Sequence, residues 1–119
     1  MREERGQLEG DRMVYEHVDL WGTVLGNVLV VDEGKLYVRG AIYGNLTVDK
    51  GGRAHIYGNV TGELIVKEGA KVILSGNVTD VTNRGGRLYI ESTAKVLGKL
   101  RTKTGETVVD PKAFVADAG

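Results

Sequence analysis

Cysteine is absent from this 119-residue sequence, which excludes a disulfide framework, a thiolate nucleophile and a thiolate metal site. Charge of one sign is lacking too: 16 Lys and Arg balance 16 Asp and Glu. No global field therefore draws the chain to a polyanion, and no nucleic-acid partner is expected. Long hydrophobic runs are missing. The opening stretch MREERGQLEGDRMVYEHVDL is charged throughout, unlike a signal peptide, and no later run approaches the roughly 18 apolar residues of a membrane span. These absences together lead us to expect a cytoplasmic protein. Aromatics are few, and Pro111 is the single proline. With only His17 and His55 as histidines, imidazole metal sites and histidine-centred catalysis have little to draw on. No cofactor is expected.

What the chain has in excess is glycine, 18 residues of it. Glycine without proline speaks against a disordered linker and for a fold that turns often. The glycines recur. GTVLGNVLVVDEGKLYVRG from Gly22, GAIYGNLTVDKGGRAHIYG from Gly40 and GNVTGELIVKEGAKVILSG from Gly58 align without a gap at an offset of 18 residues. Val24, Ile42, Val60, Val78 and Val96 share one column, and Val28, Leu46, Leu64 and Leu100 another.

Eighteen is three sixes, and apolar residues also recur every sixth position: Val24, Val30, Leu36, Ile42, Val48, Ala54, and on through Ile90 and Val96 to Val108 and Phe114, broken only by Arg84 and Thr102. Inside each six, apolar or small residues alternate with polar ones, the period of a strand with one buried face. A helix is excluded by the glycine and β-branched content and by the missing 3.6-residue spacing. Three short strands per 18 residues, joined at glycine-rich corners, make one triangular turn of a parallel β-helix. The expected fold is all-β and single-domain: an N-terminal flank over residues 1–19, about five turns over residues 20–110 forming a rod about 25 Å long, and a tail over residues 111–119. The fourth turn departs from register. VTDVTNRGGRLYI aligns with the preceding turn once two residues are removed near Asp80–Arg84, and Ile90–Val96 restores them. A distorted corner is expected there, with Leu88 and Ile90 in the core.

The segment GRLYIESTAKVLGKLRT, with the repeated G-x-V-x-G-N-V-x-V of the earlier turns, resembles the bactofilins, polymer-forming bacterial cytoskeletal proteins. Their core reads aliphatic-x-Ile, a small-residue corner, then Val-x-Gly-x-Ile. The resemblance covers about residues 20–110. It implies a right-handed β-helix that self-assembles end to end into filaments without nucleotide or metal and scaffolds other proteins. The handedness comes from the resemblance, since six-residue periodicity equally suits a left-handed helix. The flanks here are short and not proline-rich, and MREERGQLEG is neither apolar nor basic enough to mark a membrane anchor, which leaves membrane association open.

Three groups of residues are candidates for function. A β-helix exposes unpaired strand edges at its ends, and the apolar residues nearest the ends are Trp21, Val108, Phe114 and Val115. Trp21 is expected to pack beneath an N-terminal segment that crosses the first turn as a cap. Phe114 is the preferred self-assembly residue, because it resembles in position the apolar C-terminal residues through which bactofilin subunits meet. The second group is an outward stripe of Tyr37, His55, Ile73 and Tyr89, with Val109 next in line. It reads as ordinary cross-strand packing or as a lateral face for a second copy or a protein partner. The third is a basic ladder of Lys35, Arg53, Lys71 and Arg87, read as solvated corner charges partly paired with Asp32, Glu33, Asp49 and Glu68, or as a site for an anionic partner or a membrane surface. The asparagines Asn27 and Asn45, and Asn59 and Asn77, stack at equivalent corners where they can satisfy backbone groups. No Ser/His/Asp set is placed together, so a non-enzymatic homo-oligomer or polymer is the leading expectation. The alternative is a monomeric or dimeric binding module.

Overall fold

In a computed structural model of the chain, which describes residues 2–117, the repeat is a parallel β-helix of about six turns. Met1, Ala118 and Gly119, the outer limits of the expected flank and tail, lie outside the described residues. The first turn consists of β1 (Arg2–Glu4), β2 (Gln7–Glu9) and β3 (Arg12–Val14), and the second of β4 (His17–Leu20), β5 (Thr23–Leu25) and β6 (Val28–Val30). The third holds β7 (Lys35–Val38), β8 (Ala41–Tyr43) and β9 (Leu46–Val48). Beyond it come β10 (Arg53–Ile56), β11 (Asn59–Lys67), β12 (Lys71–Leu74), β13 (Asn77–Ile90), β14 (Lys95–Val109) and β15 (Phe114–Asp117), of which β11, β13 and β14 run through corners. Each strand pairs in parallel with its equivalent one turn away, so three sheet faces run along the rod. The rod measures 34 × 24 × 20 Å.

Alternation within each strand sends every second side chain inward. Val18, Leu36, Ala54, Val72 and Leu88 form one buried column, and Leu20, Val38, Ile56, Leu74 and Ile90 the next. Stacking like on like fills these two columns with aliphatic side chains alone, at about 1.5–3 kcal/mol per buried side chain. Glycine at the corner between the first and second faces is a packing requirement. A Cβ on Gly40 would run into the carbonyl oxygen of Gly22, and one on Gly58 into that of Gly40. The opposite corner is pinned by side chains. The Asn27 amide oxygen accepts the Asn45 N–H at 2.9 Å, and the Asn45 oxygen accepts the Glu63 N–H at 2.8 Å. At the glycine corner itself, just after Gly58 and Gly76, Asn77 donates to Asn59 at 2.8 Å, so both asparagine stacks expected from the sequence are present, at different corners.

The N-terminal residues depart from expectation. Residues 2–14 do not cross the end of the rod as a cap but continue the sheets as a full turn, with Arg2 paired to Val18, Leu8 to Val24 and Val14 to Val30. The aliphatic pattern conceals this turn because Arg2 and Glu4 occupy its core columns.

The irregular fourth turn behaves as the alignment requires, through two one-residue deletions at separate corners. One falls at Thr79–Asp80, where Val60 pairs with Val78 but Leu64 with Val81; the other falls at Arg84–Gly86, ahead of the Lys71–Arg87 pair. Leu88 and Ile90 are buried and Arg84 is exposed. In the last turn the first of these corners regains its full length while Asp110–Ala113 keeps the long form of Glu91–Ala94. The offset there becomes 19, which pairs Val115 with Val96 and Phe114 with Lys95. Phe114 therefore leaves the six-residue apolar series and points outward, and Val115 takes its place facing the core. Because the second of the shortened corners stays short in the last turn, from Thr102 to Glu106, Val108 and not Val109 follows Tyr89 in the outward stripe, and Val109 falls beneath Ile90. Residues 111–117 thus form part of the last turn, with β15 in the sheet.

Candidate functional site

The first face, built on β1, β4, β7, β10, β12 and the ends of β13 and β14, carries three outward columns. The innermost reads Glu3, Asp19, Tyr37, His55, Ile73, Tyr89 and Val108. On one side of it runs His17, Lys35, Arg53, Lys71, Arg87 and Glu106. On the other, along the corner, run Arg5, Trp21, Arg39, Tyr57, Ser75 and Glu91, each following a paired strand residue. The expected stripe and ladder both exist in the expected register, about 4.8 Å between rungs.

The corner column is a stack of alternating cations and rings. Arg5 lies 5.1 Å from the centre of the Trp21 ring and Arg39 lies 4.9 Å from it on the neighbouring turn; Arg39 also lies 4.9 Å from Tyr57 and 5.5 Å from Tyr37. Trp21 therefore sits on the flank, held between two guanidinium groups, and not at an end of the rod as a self-assembly residue or beneath a cap. The sequence holds the signal for this stack, since Arg5, Trp21, Arg39 and Tyr57 share a column once residues 2–14 are recognised as a turn.

His55 stacks on Tyr57 with ring centres 4.0 Å apart, and its Nε2 lies 3.1 Å from the Ser75 hydroxyl. This serine–imidazole pair is absent from the sequence reading because Ser75 belongs to the neighbouring column and turn. Burial lowers the pKa of His55 below its usual value, with Glu91 opposing the shift and Arg39 adding to it. The shift favours the neutral ring. Among the described residues no carboxylate pairs with His55, and no three His, Cys, Asp or Glu side chains converge as metal ligands. His17 lies beside Tyr37, ring centres 5.1 Å apart, and 3.9 Å from the buried Asp19 carboxylate.

The basic ladder differs from its expected pairing. Among the described residues none of Lys35, Arg53, Lys71 and Arg87 has a carboxylate within 4.0 Å; the ion pairs present involve Arg2, Arg5 and His17 instead. Asp32, Glu33, Asp49 and Glu68 remain at the corners without reaching the ladder. Two of the cations lean over the stripe, Lys35 at 5.3 Å from the Tyr37 ring centre and Lys71 at 5.9 Å from that of Tyr89. A depression of about 160 Å³ opens between Lys35, Arg53, Lys71 and the stripe residues Tyr37, His55 and Ile73. Beyond the ladder a larger groove of about 380 Å³ has its floor at Gly51–Gly52, Gly69–Ala70 and Gly85–Gly86, and Arg53, Lys71 and Arg87 line it.

The two ends of the rod are unlike. At the N-terminal end Arg2 and Glu4, at core positions, pair with each other at 2.9 Å, and Arg2 reaches Glu16 at 3.4 Å. At the C-terminal end Val109 closes a column whose previous member, Ile90, is 1% exposed, yet is itself 40% exposed. Val108 and Phe114 are exposed beside it, and Val115 is half-buried against the core.

Compared with protein-family models, curated proteins and solved structures, the chain matches none. Its fold and surface carry the functional reading. No helix among the described residues is long and apolar enough to cross a membrane.

Proposed function

We propose that this chain is a non-enzymatic structural protein that self-assembles through the ends of its β-helix, into filaments without nucleotide, and scaffolds other proteins, as its resemblance to the bactofilins implies. The observation that supports this reading is the uncovered C-terminal end. Val109 ends a core column at 40% exposure, and among the described residues the run from Thr102 to Val109 pairs only with β13 on its inner side. Apolar surface beside an unpaired strand edge is the combination that favours association with another chain. Phe114 and Val115 border this end, so they keep their assignment as interface residues, while Val108 joins the interface from the flank. The N-terminal end is less suited to dry contact, because burying Arg2 and Glu4 carries a desolvation cost.

Light scattering after size exclusion, with negative-stain microscopy, tests the proposal on the full chain without nucleotide or metal. Large species that disappear in Phe114→Asp are the expected result. A wild-type monomer at all concentrations overturns it and favours the second reading, a partner-binding module that uses the first face.

A further inference from the structure

We infer that the row Lys35–Arg53–Lys71–Arg87 is a docking surface for an acidic amphipathic α-helix of a client protein, laid along the axis of the rod. This deepens the scaffold reading by naming the kind of client, and it rests on a different surface from self-assembly.

Charge comes first. In a chain with equal numbers of acidic and basic groups, four cations on successive turns have no carboxylate within 4.0 Å among the described residues. Like charges at this separation repel, and a row of counter-charges relieves the repulsion. The row is bounded, since Glu106 follows Arg87 in the same column. The site therefore presents four positive rungs and then turns negative, which sets both the length and the register of a complementary partner.

Spacing selects the partner's conformation. Three rung intervals span about 14 Å along the rod. Acidic residues at positions i, i+3, i+7 and i+10 of an α-helix lie on one face and span about 15 Å. Four side chains on one face of an extended peptide span about 20 Å, so their charges drift out of step with the rungs. Ile73 lies beside Lys71 and Arg53 on the same pair of strands and can receive an apolar residue adjoining the acidic stripe of a helix. On the other side the groove is floored by Gly51–Gly52 and Gly85–Gly86, where the absence of side chains lets long carboxylate side chains approach the cations from a second direction.

Other polyanions fit less well. Single-stranded nucleic acid is held by cations together with free aromatic faces on which bases stack, whereas His55 is already stacked on Tyr57 and Lys35 and Lys71 lean over Tyr37 and Tyr89. A bilayer is a plane and meets the crests of the row without entering the depressions that flank it.

The test is binding of a fluorescent helical peptide with glutamates at i, i+3, i+7 and i+10 to the full chain, measured by anisotropy at low and physiological salt. The comparisons are a peptide of identical composition with glutamates at alternate positions, vesicles containing phosphatidylglycerol, and oligouridylate. We expect preferential binding of the first peptide, weakened roughly tenfold in Arg53→Gln/Lys71→Gln and weakened by salt. Binding unchanged in Phe114→Asp separates this site from the assembly contact, whose failure is read independently by light scattering. Equal affinity for the two peptides, preference for vesicles or oligouridylate, or no effect of the double substitution each overturns the inference.

Discussion

The side-chain nitrogen of Asn83, a fully buried residue, lies 3.0 Å from the Thr107 hydroxyl of the next turn. The same nitrogen donates to the carbonyls of Gly86 and Glu106, and the amide oxygen accepts the N–H groups of Gly85 and Gly86. Asn83 continues the core column of Val14, Val30, Val48 and Val66, which passes on to Thr102 in the last turn. Here a polar group inside the rod fastens a shortened corner to the turn beyond it.

Asn83→Val restores the aliphatic column but orphans the backbone groups of Gly85 and Gly86. Each buried unsatisfied group costs about 1–3 kcal/mol, so the variant is expected to be destabilised by at least that much in urea unfolding. Stability equal to wild type would show that the corner rearranges to satisfy itself.

Gly40→Ala probes the opposite corner. The added methyl meets the Gly22 carbonyl oxygen, a backbone atom already fixed by the Ala41 N–H at 3.1 Å. A loss of more than about 2 kcal/mol is expected, as for other severe steric insertions. Thermal unfolding measures it. Gly6→Ala is a useful contrast, because space is open there but its φ of 86° disfavours a side chain and predicts a smaller loss of about 1 kcal/mol.

Arg39→Ala removes the cation between Trp21 and Tyr57. At exposed sites such contacts contribute about 0.5–1 kcal/mol each, so stability falls by roughly 1–2 kcal/mol and the tryptophan emission changes. Unaltered emission would place the guanidinium away from the indole in solution. Arg39→Lys is expected to restore part of the stability, since it keeps the charge but loses the planar stacking surface.

The pH dependence of stability follows from His55. Its pKa is lowered in the folded chain, so the unfolded chain takes up the proton first as pH falls. The contribution is complete above the ordinary imidazole value of about 6.5 and is lost as pH decreases through the folded pKa. Denaturation between pH 7.5 and 5 is expected to show declining stability, with a shallower slope in His55→Gln. The same variant is expected to leave assembly size unchanged. An ester-hydrolysis activity that vanishes in both His55→Gln and Ser75→Ala would instead make the 3.1 Å pair a catalytic dyad and overturn the non-enzymatic reading.

The repeat made the middle of the rod legible: where the offset is a constant 18, core, corner and outward columns follow by counting, and Lys35, Tyr37, His55 and Lys71 stand where counting puts them. Legibility failed wherever a turn is disguised or a corner changes length. Arg2 and Glu4 hide the first turn because end positions of a core column remain in reach of water and tolerate charge. Phe114 fits the six-residue series numerically, but one retained corner residue rotates it outward. Contacts between neighbouring columns, such as Ser75 with His55 and Arg39 with Trp21, depend on side-chain reach across the surface and leave no regular spacing behind. The lack of partners on the basic ladder has the same origin, because Asp49 and Glu68 are near in sequence and differ from the cations only in where the corner aims them.

The gapless register between Gly22 and Gly76 has a consequence for scale. Each such turn supplies one rung to every column and leaves the chain at the same corner from which it entered, so a duplicated unit of 18 residues adds about 4.8 Å of length without disturbing either end. The protein is in this respect a ruler whose graduations are genetic. A copy of the segment from Gly40 to Tyr57 would give the ladder a fifth cation and lengthen by one step the pattern it measures, while the ends kept their chemistry.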